Sequence, residues 1–134
     1  MPTSTNAHIA PDTTSASSGQ PFGYVTEQGA AVTQITNRAT GVTINAMCGQ
    51  ITTDNTSLAA EASAKFTVTN SYVKEGDIIA LSFRDAVALN TDCVVTDTDN
   101  GTFEITVINN NVASGTAETG AIVINFAIIR AVAA

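Results

Sequence analysis

The sequence has no tryptophan, one histidine (His8), two cysteines (Cys48 and Cys93) and only five basic residues among its 134. Each shortage removes a class of function. Twelve acidic residues bring the net charge to -7, so nothing neutralises a row of phosphates, and nucleic acid and anionic membranes are excluded as partners. A Ser-His-Asp arrangement would have to recruit His8 from a Pro/Ser/Thr-rich stretch unsuited to holding a side chain rigidly. No CxxC or HxxxH spacing occurs, which leaves no recognisable zinc ligand set. No apolar run approaches the roughly 18 residues of a membrane-spanning helix. The opening MPTSTNAHIAPDTTS lacks the basic start and the apolar stretch of a secretion signal. These absences predict a soluble, non-enzymatic chain that folds in the cytosol without metal or cofactor. Its cysteines are expected to stay reduced, as small buried hydrophobes.

Proline is missing after residue 21: Pro2, Pro11 and Pro21 are the only three. In that opening segment Met1 and Ile9 are the only large apolar side chains. The remainder is too polar to offset the entropy of ordering by burial. Residues 1–21 therefore read as an arm, and residues 22–134 as the folded domain.

What the domain has in place of charge is Thr, Ser and Asn. Charged residues are 13% of the chain, about half the usual share. Short β-branched runs follow one another: AVTQ (31–34), VTIN (42–45), GQIT (49–52), KFTVTN (65–70) and TFEITVIN (102–109). In the last two, apolar and polar residues alternate strictly, the period of a strand with one buried and one wet face. DIIALSF (77–83) and DCVVTD (92–97) are more continuously apolar and suit inner strands. Asn100-Gly101 predicts a tight turn joining 92–97 to 102–108 as a hairpin. Only SLAAEASA (57–64) could hold a helical turn. Seven to nine short strands with regular turn signals predict an all-β, jelly-roll-like sandwich.

The strand AIVINFAII (121–129) differs from the rest. Ile122, Ile124, Phe126 and Ile128 make one apolar face, while Val123, Asn125, Ala127 and Ile129 make a second that is mostly apolar. Such a strand needs cover on both sides, from an intrachain loop or from another subunit. Val123, Asn125, Ala127 and Ile129 are accordingly the expected oligomer interface. Elsewhere the motifs are bland. DTDNG (97–101) lacks the further ligands of a calcium loop and reads as a solvated hairpin turn. The glycines of GYVTEQGAAV (23–32) do not form a phosphate-cradling pattern. Glu75 and Asp77 read as exposed loop charges rather than an acid/base pair.

The run AAVTQITNRATGVTINAMCGQITT (30–53), followed by SLAAEASAKFTVTNSYV (57–73) and INFAII (124–129), resembles a small β-domain of tailed-bacteriophage virion surface proteins. The resemblance spans about residues 23–129. It implies a capsid decoration (cement) or head-fibre protein, built in the host bacterial cytoplasm and carried on the outer capsid surface. The implied partners are the major capsid protein and further copies of the chain itself, as a homotrimer. The arm, with Pro2, Ile9, Pro11 and Pro21, is the expected capsid-binding segment. The alternative is a fibre-tip module that binds a host-surface glycan. With Tyr24 and Tyr72 the only tyrosines and no tryptophan, the chain is poor in the aromatics on which sugars stack.

Overall fold

A computed structural model describes residues 22–85, 87 and 90–132. The arm residues Pro2, Ile9, Pro11 and Pro21 lie outside the described residues. Among the described residues, eight strands form a β-sandwich. A 3-10 turn, Thr26–Gln28, leads into β1 (Gly29–Thr33), β2 (Val42–Thr43), β3 (Cys48–Thr52), β4 (Ser63–Thr69) and β5 (Ile78–Phe83). β6 (Thr91–Asp99), β7 (Thr102–Asn109) and β8 (Val123–Ile129) complete it. One sheet has the order β1-β3-β8-β5 and the other β2-β4-β7-β6. The division into two four-stranded sheets is jelly-roll-like, but β1 runs parallel to β3 and β2 parallel to β4.

Alternation builds the core. β4 contributes Phe66 and Val68; β7 contributes Phe103, Ile105 and Val107. Against them β8 sets Ile124, Phe126 and Ile128, and β3 sets Ile51, all buried. The rings of Phe103 and Phe126, one from each sheet, lie 5.6 Å apart at a tilt, an arrangement that adds to their area burial. β6 and β7 form the hairpin expected from Asn100-Gly101. Gly101 supplies the left-handed φ of 87° that the turn needs.

Two expectations need correction. β5 and β6 are not inner strands; each is an edge. Their continuous apolarity has another source, since in β5 Ile78 and Ala80 sit on the outer face while Ile79 and Leu81 pack inward. The stretch 57–64 forms no helix. Leu58 bridges Glu118, Ala62 closes a single turn onto the Ala59 carbonyl, and β4 begins at Ser63.

One end of the sandwich is tied by a cation that no sequence motif singles out. Arg38 is only 4% exposed. Its Nε donates to the Thr56 carbonyl (2.5 Å), Nη1 to Thr53 Oγ1 (3.0 Å) and Nη2 to the Gly120 carbonyl (2.7 Å). Burial pushes its pKa down, against the opposing pull of Glu118 and Asp54. The guanidinium thus joins two loops that the chain separates widely. Beside it Thr91 Oγ1 donates to Glu118 Oε2 at 2.9 Å, and Asn109 donates to the Leu58 and Thr116 carbonyls.

Candidate functional site

The feature that the core does not explain is the outer face of the β1-β3-β8-β5 sheet. Pairing places Ala31, Gln50, Asn125 and Ser82 in one row across it, and Gly29, Cys48, Ala127 and Ala80 in the next. Thr33, Thr52 and Val123 lie above, and Ile129 and Ile78 below. Within these strands Cys48 is the only ionisable outer-face residue. Ile78 is 53% exposed and Ile129 50%. Val123, Asn125 and Ala127 are half-buried by their neighbours. All four residues expected at an oligomer interface therefore share this one surface. Asn125 is tied within its own chain: Gln50 Nε2 donates to its Oδ1 (3.1 Å), and its Nδ2 donates to Ser82 Oγ (3.3 Å).

The lower end of this face deepens into an apolar groove of about 390 Å³, lined by Phe22, Gly23, Tyr24, Cys48, Ala127, Ile129 and Arg130. The lead-in segment forms its wall because the Tyr24 hydroxyl donates to the Ile128 carbonyl. Burial raises the Tyr24 pKa, and the nearby Cys48 and Asp77 add to it. Phe22 at the rim is 79% exposed. Arg130 in the groove wall is tied by Nε to Asp77 Oδ1 (2.5 Å) and by Nη2 to the Tyr72 carbonyl (3.0 Å). Asp77, expected to be an exposed loop charge, is in fact buried and occupied by this contact and by the Lys74 amide.

Both cysteines are free thiols, in opposite sheets. They are not both core residues. Cys93 packs inward, and burial followed by Asp92 lifts its pKa to about 11. Cys48 is half-buried on the outer face, in the groove wall, and burial raises its pKa too.

A second, polar cleft of about 270 Å³ is lined by Thr33, Gln34, Thr52, Thr53, Asp54, Asn55 and Ala121, with no aromatic wall. Asp54 there accepts from the Thr56 hydroxyl and amide, which lower its pKa. Among the described residues no group of three or more His, Cys, Asp or Glu side chains converges as a metal site would require. Nor is any helix there long and apolar enough to cross a membrane. Comparisons with protein-family models, curated proteins and solved structures return no match for this chain.

Proposed function

We propose that this chain is a bacteriophage capsid decoration protein, a structural component that binds the outside of the assembled head. The observation that carries the reading is the uncharged outer face of the β1-β3-β8-β5 sheet, with its half-exposed Ile78 and Ile129. A face of small, aliphatic and neutral polar residues can lie closely on a folded protein surface, and covering its apolar part gains free energy at about 25 cal/mol per Å² of apolar area. In this role the sheet face seats the domain on the major capsid protein, and residues 1–21 reach a neighbouring subunit. Contact across subunit boundaries stabilises the shell against the pressure of packaged DNA. The resemblance of residues 30–53, 57–73 and 124–129 to phage virion surface domains supplies the particle. The polar cleft lacks an aromatic wall, so it does not favour the glycan-binding alternative.

Binding of purified protein to undecorated heads of the encoding phage tests this, by co-sedimentation and cryo-electron microscopy. Ala80→Lys puts a charge on the outer face of the β8 sheet, and Val94→Lys puts the same charge on the other sheet. Both positions are exposed, so stability should change by less than about 0.5 kcal/mol in each. Saturable binding to the outer surface, lost in Ala80→Lys and kept in Val94→Lys, is the expected result. Heads that take up none of the wild-type chain would defeat the reading.

A further inference from the structure

The four edges of the sandwich are not alike. In the β7 sheet, β2 is only two residues long, and β6 is broken by a bulge at Thr96 and studded with Asp92, Asp97 and Asp99. Short length, bulges and charge are the usual devices that stop an edge from recruiting another strand. In the other sheet neither edge has them: β5, Ile78–Phe83, is regular and uncharged but lies beside β6 of the facing sheet, whereas β1, Gly29–Thr33, is GAAVT, regular throughout, with every residue but Val32 exposed.

The phase of β1 shows which backbone groups face outward. Gln34 donates its amide to the Thr52 carbonyl at 2.8 Å, in register with Thr33 opposite Thr52. In a parallel ladder the residues that bond the partner alternate with those that do not. Ala30, Val32 and Gln34 therefore face β3, while Gly29, Ala31 and Thr33 turn their amides and carbonyls to the free edge. The Gly29 amide is already taken by the Thr26 carbonyl. Ala31 and Thr33 have no hydrogen-bond partner for these groups among the described residues.

We propose that β1 pairs with β1 of a second copy, antiparallel, across a two-fold axis at Ala31. The outward set is self-complementary under that operation: Ala31 falls opposite Ala31, and Gly29 opposite Thr33. Ala31 exchanges two bonds with its counterpart, and each Thr33 amide reaches a Gly29 carbonyl. An isologous contact of this kind closes on itself and does not propagate into a filament. Ile35, 72% exposed and two residues past Thr33, is brought toward the Thr26–Gln28 turn of the other copy. Because the axis is perpendicular to the sheet, both uncharged faces end on the same side of one continuous eight-stranded sheet. The pairing stands on the edge geometry and is independent of what that face binds. It gives two copies, where the resemblance implies three.

Sedimentation velocity of the full chain over micromolar to millimolar concentration reads the outcome. The expected wild-type limit is twice the chain mass of 13.7 kDa. Ala31→Pro removes an outward donor without touching the bonds to β3, and edge positions tolerate proline. It should weaken association about tenfold or more while the thermal melt remains cooperative. If that variant fails to fold, Ala31→Cys in a Cys48→Ser background tests the same pairing. Opposed residues in a hydrogen-bonded pair lie about 5.5 Å apart at Cα, within disulfide range, so a cross-linked dimer should form on oxidation. The control Thr67→Cys, on the other sheet, should give none. A single-chain mass throughout, a three-chain limit, unchanged association of a folded Ala31→Pro, or an Ala31→Cys chain that does not cross-link would each overturn the proposal.

Discussion

The two sheets share a core but turn different surfaces outward. On the β7 sheet the outer positions are Ser63, Lys65, Thr67 and Thr69 on β4, Thr102, Glu104, Thr106 and Ile108 on β7, and Asp92, Val94, Asp97 and Asp99 on β6. Lys65 Nζ meets Glu104 Oε2 at 3.0 Å, and the Thr96 and Thr106 hydroxyls pair at 3.1 Å. The β8 sheet carries no charged side chain at its outer positions: Gly29, Ala31, Cys48, Ala80, Val123, Ala127, Ile78 and Ile129 stand among the neutral polar Thr33, Gln50, Thr52, Ser82 and Asn125. Folding requires one apolar face per sheet. The uncharged outer face of the β8 sheet, with its exposed Ile78 and Ile129, serves no need of the core, and in a chain with so few charges it costs solubility.

The largest effect should come from breaking what the two sheets share. Phe103→Ala removes one of the two tilted rings from a fully enclosed position and should cost about 3–5 kcal/mol, seen as a lower midpoint in urea. Both sheets should melt together, so separate transitions would show that they are independently stable. A smaller and more selective change is Gly49→Ala. A Cβ there would stand 2.4 Å from the Ala30 carbonyl oxygen and 3.1 Å from Ile44 Cδ1, so β1 must move away from β3. About 1–3 kcal/mol should be lost, with hydrogen exchange rising along β1 and not along β7. Lys65→Ala, on the other sheet, removes only an exposed ion pair and should cost less than about 1 kcal/mol.

The cysteines give the finest version of the comparison. Cys93 has a folded pKa of about 11, above its ordinary 9.0, so the native state holds the proton more tightly than the unfolded chain. Its contribution to stability is complete below pH 9 and is lost as pH rises toward 11. The melting temperature of the wild type should therefore fall over that window more steeply than that of Cys93→Ala. Cys48, on the outer face, should be alkylated by iodoacetamide before Cys93 at about pH 8, as peptide mapping would show.

Strands with one wet face were readable from the sequence, because Phe66, Val68, Phe103, Ile105 and Val107 keep strict alternation with polar neighbours. The Asn100-Gly101 hairpin was readable from its turn chemistry. β6 was misplaced because the single outward Val94 between inward Cys93 and Val95 makes a short run look continuous, and β5 because two-sided apolarity is the sign of an inner strand only when the outer face of the sheet is polar. Here one outer face is not, and Ile78 and Ala80 imitate internal burial. The same ambiguity made β8 informative, since its second row did mark the uncharged surface. Edge status itself was not readable: it is a property of which strands pair, and GAAVT carries only Val32 as a core residue. Arg38 was silent for a similar reason. Its partners include the Thr56 and Gly120 carbonyls, and backbone acceptors leave no trace in a sequence.

The position of β8 also sets a timetable. It is an inner strand of its sheet, between β3 and β5, yet the ribosome delivers it after the other seven. Gln50 must wait for Asn125, 75 residues later, which at about 5–20 residues per second is roughly 4–15 s of synthesis. Until then β3 and β5 have no common neighbour. A product cut short before Val123 cannot close. Only copies that extend through Ile129 present a finished surface, so truncated products are kept out of any assembly built on that face.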